Sequence, residues 1–142
     1  MILLNAVLCL ALNVYFEARG ESVEGQHAIA QVTMNRAAGD EKNVCKVVMA
    51  PKQFSWTAGK VNKRGDRYVI KSLPEKDDSS WEQAMVISKL HIAGWKMPDY
   101  RMRNIMYYHA KYVRPGWAKH MKPVQVIGAH IFYKPKKEVK FL

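Results

Sequence analysis

The N-terminal part of the chain is apolar almost without interruption and then becomes charged within a few residues. Over the first fourteen residues the strongly polar side chains are Asn5 and Asn13, and the charged stretch Tyr15–Glu21 (YFEARGE) follows directly. A segment that is apolar on all sides is typical of a helix buried at the centre of a small domain. The pattern therefore predicts a central helix over residues 2–18, with Gly20 as its C-terminal stop.

Two further segments carry the signals of helices. Ser22 is a candidate N-cap and Glu24 favours a first helical turn, which predicts a second helix that continues to Ala38. Ser80 is the candidate cap of an amphipathic helix whose apolar residues recur every three or four positions until Gly94.

The segment between these helices divides into two parts. The stretch NVCKVVM predicts a short helix or strand that ends at Pro51, followed by an ordered loop that carries Phe54 and Trp56. Residues 57–80 contain charges of both signs together with glycine and proline, so we expect a polar surface insert.

The C-terminal third has a different character. The stretches NIMYYHAKYV and VQVIGAHIFYK are rich in aromatic and β-branched residues, and they predict two strands of a small sheet. Turn-forming residues (RPGWAKHMKP) separate them, and a basic tail occupies residues 135–142.

Length and composition indicate one globular domain over residues 1–142. Hydrophobic residues make up 49% of the chain and charged residues 25%, a balance that argues against disorder. The net charge of +11 predicts attraction to polyanions, which include nucleic acid, an anionic membrane surface and an acidic cell-wall polymer. Charge alone does not choose among them.

The two cysteines, Cys9 and Cys45, lie in apolar stretches and are interpreted as small buried hydrophobic residues. Their spacing leaves a disulfide open as an alternative. No group of cysteines and histidines has zinc-ligand spacing, so no metal is expected.

The apolar N-terminus also invites comparison with a targeting segment. It has no Lys or Arg before the apolar stretch, and it is shorter than the roughly 20 apolar residues of a membrane span. We therefore expect a buried helix and no stable membrane insertion.

Glu17 is the first candidate for chemistry. In the last turn of the first helix, unpaired carbonyls and apolar neighbours would both raise its pKa, which suits a general acid, although Arg19 would oppose them. The alternative is a set of solvated charges at a helix end. Glu21 lies beyond Gly20 and is expected to be solvated or hydrogen-bonded.

The predicted strands carry the second group of candidates. His109 and His130 could be structural or functional. The aromatic residues around them offer flat surfaces that stack on sugar rings or bases, or that fill a core. They are Tyr107, Tyr108, Tyr112, Trp117, Phe132 and Tyr133.

At this point the motifs resemble a known family. The stretch YFEARGESVEGQHAIAQVTMNR strongly resembles the opening of the SleB/CwlJ-type cell-wall hydrolases, spore-cortex-lytic enzymes that also occur among phage endolysins. VVMAPKQFSW is similar to the segment that follows in that family. YYHAKYVRPGWA and IGAHIFYK resemble its closing signature. The resemblance covers roughly residues 5–57 and 84–134.

The resemblance implies a lysozyme-like α+β fold, mainly helical, with a small antiparallel sheet or hairpin near the C-terminus. It also implies cleavage of the MurNAc–GlcNAc β-1,4 bond of peptidoglycan, with Glu17 as the catalytic acid and Glu21 as second choice. The residues expected to bind the glycan strand are Arg19, Gln53, Phe54, Ser55, Tyr108, His109, Trp117, His130 and Tyr133.

Outside the opening stretch YFEARGESVEGQHAIAQVTMNR, none of the Asp and Glu residues falls within one of the family's motifs. This favours a lytic transglycosylase, which needs a single carboxyl group. A lysozyme-type muramidase that uses water and a second carboxylate is the alternative. A basic module that binds nucleic acid or cell wall without catalysis is less favoured, because it leaves the acidic motif unexplained.

The setting that we expect is that of a phage endolysin in host-cell lysis. It would be a monomer held in the host cytoplasm until release to the wall, with peptidoglycan strands as its partner. No cofactor, metal or nucleic acid is expected.

Overall fold

The computed structural model describes residues 1–51 and 53–136. Within them the helices are α1 (Ala6–Ala18), α2 (Val23–Arg36), α3 (Val44–Val48) and α4 (Ser79–Ile92). The strands are β1 (Ile2–Leu3), β2 (Val61–Arg64), β3 (Arg67–Ile70), β4 (Tyr107–Ala110), β5 (Met121–Ile127) and β6 (His130–Pro135). The α+β prediction, mainly helical with an antiparallel sheet near the C-terminus, is confirmed.

Helix α1 is the centre of the molecule. Eight of its 13 residues are buried, and it packs against α2, α3 and α4. The prediction that it begins at residue 2 was wrong. Asn5 caps the helix by accepting a hydrogen bond from the Leu8 N–H at 2.9 Å, and the residues before Asn5 are extended and pair with β3.

A small sheet with the antiparallel order β1-β3-β2 covers one side of the helices. Residues 57–80, which we expected to form a polar surface insert, contain the hairpin of β2 and β3. Val69 and Ile70 are buried, whereas three of the four β2 residues are exposed. Lys63, Arg64, Asp66 and Arg67, which are among the charged residues that suggested a loop, are exposed in a hairpin whose turn contains Gly65.

A second antiparallel sheet with the order β4-β6-β5 lies near the C-terminus. The stretch VQVIGAHIFYK was predicted as one strand, and this was wrong, because it turns at Gly128 and Ala129 and contributes to both β5 and β6. Pro135 belongs to β6, so the predicted tail over 135–142 begins too early, and residues 137–142 lie outside the described residues.

The helix caps agree with the sequence pattern in one case and differ in the other. Ser22 caps α2, as predicted, by accepting a hydrogen bond from the Gly25 N–H at 3.1 Å. Helix α4 is capped by Asp78 instead of Ser80, because the Asp78 carboxylate accepts hydrogen bonds from the N–H groups of Ser80 and Trp81. Helix α4 ends before Gly94, as predicted.

Cys9 and Cys45 form a disulfide between α1 and α3, with their Cα atoms 5.3 Å apart. The interpretation of two unlinked buried cysteines was therefore wrong. The two helices pack directly on each other, which brings the Cα atoms into the range that a disulfide spans.

In the part of the chain that is described, none of the helices has the length and apolar character needed to cross a membrane.

Candidate active site

Glu17 lies in the last turn of α1, where the helix approaches the second sheet. Its side chain is partly buried, and the Tyr108 hydroxyl of β4 donates a hydrogen bond to Oε1 at 3.2 Å. Burial raises the pKa of Glu17, and the hydrogen bond from Tyr108 offsets only part of this rise. Glu17 therefore keeps its proton to a higher pH than an exposed glutamate.

Tyr108 is itself held in an apolar setting. Its ring lies 6.2 Å from that of Phe54 in a stacked arrangement and meets His130 edge-on at 5.5 Å. Burial raises the pKa of Tyr108 well above its usual range, and the nearby Glu17 carboxylate adds to the effect. The hydroxyl consequently stays protonated and serves as a donor to Glu17.

Asn13 forms the buried floor one turn before Glu17, on the same side of α1. Its Oδ1 accepts a hydrogen bond from the indole N–H of Trp56 at 2.9 Å, and its Nδ2 donates to Thr33 Oγ1 at 3.4 Å. The Trp56 ring in turn stacks on Phe16 at 5.0 Å. These contacts tie the loop at residues 53–57 to α1 and α2.

Glu21 contacts the turn between β5 and β6, whereas Glu17 contacts Tyr108. Its Oε1 accepts a hydrogen bond from the Ala129 N–H at 3.1 Å and lies 3.2 Å from His130 Nδ1. Burial lowers the pKa of His130, and the Glu21 carboxylate opposes this only in part, so a neutral His130 donates its Nδ1–H to Glu21. Glu21 thus holds the turn between β5 and β6.

The shape of that turn requires glycine at position 128. Gly128 has a φ of +55°, and a Cβ atom added there would overlap the Glu21 carboxylate. Gly20, with a φ of +85°, makes the bend between α1 and α2 that separates Glu17 from Glu21. Geometry therefore explains the glycines at positions 20 and 128 of the motifs.

The loop that carries Gln53, Phe54 and Ser55 reaches the site with one of these three side chains. Phe54 is buried against Tyr108. Gln53 turns to Arg36, whose guanidinium donates to Gln53 Oε1 at 2.7 Å and lies 5.8 Å from the centre of the Tyr107 ring. Ser55 is exposed.

Strand alternation places the remaining aromatic candidates on the other face of the second sheet. Along β4, Tyr108 faces Glu17, so His109 points the opposite way. His109 Nε2 lies 2.6 Å from the Tyr133 hydroxyl, and Trp117 meets both rings edge-on at 5.7 and 5.3 Å. His109, Trp117 and Tyr133 form one cluster that is separate from Glu17.

Arg19 also turns away from Glu17. Its guanidinium lies 3.4 Å from Asp78 Oδ2 and 4.8 Å from the centre of the Tyr15 ring. The Tyr15 hydroxyl donates to the same Asp78 oxygen at 2.6 Å. Arg19 therefore connects the end of α1 to the start of α4, and it is not among the groups that shift the pKa of Glu17.

The chemistry that this arrangement offers is proton donation by a carboxyl group in a partly apolar site. Within residues 1–51 and 53–136, Glu17 forms no ion pair that would hold it ionised. In the same described ranges, no three His, Cys, Asp or Glu side chains come together as a metal site.

Asn13, and its hydrogen bond with Trp56, are the parts of the site that the sequence analysis did not identify. A signal for Asn13 was present, since it stands four residues before Glu17 in an otherwise apolar helix. The pairing of Trp56 with Asn13 spans 43 positions and has no local signature.

Comparison with known proteins gives a family match over most of the chain. A family model described as Cell Wall Hydrolase matches residues 20–133. The matched range includes Glu21, Tyr108 and His130 and begins three residues after Glu17.

The sequence is 30% identical, over 132 residues, to a spore cortex-lytic enzyme of Oceanobacillus iheyensis. The match covers 92% of this chain, and the chain spans 42% of the length of that relative.

Two solved structures resemble the whole fold. The catalytic domain of the Bacillus cereus SleB protein has a TM-score of 0.65 at 29% identity, with 92% of this chain and 90% of that chain covered. The catalytic domain of the germination-specific lytic transglycosylase SleB from Bacillus anthracis has a TM-score of 0.66 at 29% identity, with 92% and 94% covered.

Proposed function

The chain belongs to the cell wall hydrolase family, and we propose that it cleaves the β-1,4 bond between MurNAc and GlcNAc in peptidoglycan as a lytic transglycosylase. The observation that carries the proposal is the Glu17 carboxyl, partly buried, with a raised pKa and a tyrosine hydroxyl on one oxygen. A carboxyl that keeps its proton to a higher pH than an exposed glutamate is suited to protonate the glycosidic oxygen. The likeness to a solved lytic transglycosylase domain supports the same reaction class.

In the proposed reaction Glu17 acts twice. It first gives its proton to the glycosidic oxygen while the bond to the anomeric carbon of MurNAc breaks and positive charge develops on the sugar ring. Its carboxylate then takes the proton of the MurNAc 6-hydroxyl, and that oxygen attacks the anomeric carbon. The products are a 1,6-anhydro sugar and a free GlcNAc 4-hydroxyl, and Glu17 has its proton again.

The 6-hydroxyl has an advantage over water because it is already part of the bound sugar. Tyr108 would hold Glu17 Oε1, which leaves Oε2 for the substrate. The phenol would also stabilise the carboxylate that exists between the two proton transfers.

We assign Glu21 as a positioning residue. A hydrolytic mechanism needs a second carboxylate free to activate water. Glu21 Oε1 instead accepts hydrogen bonds from Ala129 and His130, so its placement favours the route with one carboxyl group.

Among the expected substrate contacts, Phe54 and Tyr108 are assigned to the sugars next to the reacting bond. Arg19 and Gln53 are assigned to the framework, because their polar atoms are bound by Asp78 and Arg36. The exposed Ser55 and the aromatic cluster of His109, Trp117 and Tyr133 would meet a glycan strand only away from the reacting bond. His130 acts through Glu21 and the turn.

The products of digestion test the reaction class. Purified peptidoglycan is digested and the fragments are measured by mass before and after borohydride reduction. We expect anhydro ends, which do not take up two hydrogens. Mainly reducible ends would contradict the transglycosylase proposal and would indicate a muramidase or glucosaminidase.

The proposal extends to the biological setting, for which we favour an endolysin released from the host cytoplasm. The net charge of +11 would hold such an enzyme to an anionic wall. Digestion of walls from growing cells and of spore cortex, compared at equal protein concentration, tests the setting. Activity confined to cortex would contradict the endolysin role.

A further inference from the structure

A concave region lies away from Glu17. It is an open cavity of about 760 Å³ between the C-terminal half of α2, the segment after α4 and the end of β6. Its walls include Asn35, Trp95, Lys96, Arg103, Met106 and Lys134. The size falls within the range of small-ligand sites, about 300–1,000 Å³. Neither Glu17 nor Tyr108 lines it.

The charge of the cavity has one sign. Lys96, Arg103 and Lys134 line it, and no Asp or Glu does. Over residues 1–51 and 53–136, none of these three cations forms an ion pair. Cations gathered in a partly enclosed site favour an anionic ligand, and carboxylates form charge-assisted hydrogen bonds with them.

Part of the remaining wall is apolar, and Gln31, Asn35, His91 and Asn104 add polar groups to it. Trp95 is 40% exposed, and Met34, Ile92 and Met106 line the cavity beside it. A ligand that fills this space therefore combines negative charge with small apolar groups.

The cationic wall is held in place by hydrogen bonds from the side chains of Asn35 and Gln31. Asn35 Nδ2 donates hydrogen bonds to the carbonyls of Met102 and Ile105 at 2.8 and 2.9 Å, on either side of Arg103. Asn35 Oδ1 accepts from Gln31 Nε2, and Gln31 Oε1 accepts from the Met97 N–H, both at 3.0 Å. Asn35, at the end of α2, thus fixes the backbone on both sides of Arg103, and it takes no part in the Glu17 site.

We infer that this cavity binds the stem peptide of peptidoglycan, an inference that rests on the proposed function. A stem peptide carries several carboxylates together with the methyl groups of alanine, which matches three cations beside an apolar wall. A polyol phosphate such as a teichoic acid brings the charge but presents hydroxyls where the cavity presents Trp95 and Met106. The cavity would bind the peptide while Glu17 acts on the glycan.

The first test titrates the whole chain with the free tripeptide L-alanyl-γ-D-glutamyl-diaminopimelate. Binding is measured from the shift of the NMR signal of the Trp95 indole N–H. The cavity variant is the double substitution Lys96→Gln and Arg103→Gln. The matched control is Lys46→Gln and Arg64→Gln, two exposed cations outside the cavity, so both variants lose the same charge. We expect binding to weaken about tenfold or more in the cavity variant, since two charge-assisted contacts are lost. The control should remain within about twofold.

Equal weakening in both variants would overturn the inference, because it would indicate general electrostatic attraction. A glycerol phosphate oligomer that shifts Trp95 as strongly as the tripeptide would overturn the choice of ligand.

The second test is turnover on intact strands and on strands from which an amidase has removed the peptides. We expect the cavity variant to lose about tenfold in kcat/KM on the intact strands and nothing on the stripped ones. Equal loss on both substrates would overturn the inference. If the unmodified protein cleaves neither substrate, the proposed function fails, and the binding test still decides the peptide site independently.

Discussion

Replacement of Glu17 by glutamine should separate catalysis from stability. Glutamine keeps the shape of the side chain and can accept the Tyr108 hydrogen bond, but it has no proton to transfer at neutral pH. Loss of general acid catalysis typically costs about 10²–10⁴-fold in rate. This corresponds to about 3–5 kcal/mol in the barrier.

The Glu17→Gln variant should lose rate, but its free energy of unfolding at neutral pH should stay the same or rise. Burial raises the pKa of Glu17 above its ordinary value of 4.5, so the folded chain binds this proton more tightly than the unfolded chain does. The stability contributed by the proton is fully present below pH 4.5 and is lost as the pH rises through the raised pKa of Glu17. Glu17→Gln removes this loss. At neutral pH the variant should therefore be as stable as the original or more stable.

Glu21→Gln is the matched control, with the same chemical change four residues away. Its Oε1 accepts the hydrogen bonds from both Ala129 and His130, and the glutamine oxygen that would replace it carries no charge, so both bonds become weaker. Disturbing such a hydrogen-bonded carboxylate costs about 1–3 kcal/mol. We expect a lower unfolding midpoint and a smaller loss of rate than for Glu17→Gln.

Two measurements on each variant test the roles assigned to Glu17 and Glu21. One is the rate of turbidity clearing of purified walls, and the other is the urea midpoint of unfolding at pH 4 and pH 7. A Glu17→Gln variant that clears walls at a near-normal rate, beside an inactive Glu21→Gln variant of unchanged stability, would reverse the roles assigned here.

Three further predictions concern the surroundings of the site. Tyr108→Phe removes a hydrogen bond that lowers the pKa of Glu17, so the high-pH limb of the pH–rate profile should move to higher pH, and a profile that is unmoved would contradict the contact. The fraction of protein that sediments with walls should fall as salt shortens the screening length from about 10 Å at 0.1 M to about 3 Å at 1 M. Removal of residues 137–142 should reduce this association more than it reduces turnover. A flat salt response would contradict both expectations. Cys9→Ser should lower the free energy of unfolding by about 3–4 kcal/mol, given the 36 positions between the linked cysteines, and an unchanged urea midpoint would contradict this.

Elements that depend on local signals could be predicted from the sequence. The cap at Ser22 and the stop at Gly94 were found because a hydroxyl near free N–H groups and a glycine after a helix act within one turn. The central position of α1 followed from its unbroken apolar character.

Elements that depend on distant partners could not be predicted in this way. Strand β3 pairs with Ile2 and Leu3, more than 60 positions away, and its other neighbour β2 shows a polar surface. Nothing within the segment 57–80 reveals that Val69 and Ile70 are buried. The disulfide between Cys9 and Cys45 is a tertiary contact of the same kind.

The candidate site combines both cases. Local chemistry made Glu17 a candidate, because a carboxyl at the end of a buried helix meets an environment that opposes its ionisation, and the family resemblance decided between an acid and a solvated charge. Its partner could not be predicted, since Tyr107, Tyr108 and His109 are equally plausible neighbours until the register of β4 is known. A shift of that strand by one residue would turn Tyr108 away and present Tyr107 or His109 to Glu17. The hydrogen bond from Tyr108 therefore depends on the pairing with β6, whose first residue, His130, is fixed by Glu21. Glu21 is thus linked to Glu17 in two ways. One is the chain through Gly20, and the other is the second sheet, through His130 of β6 and Tyr108 of β4.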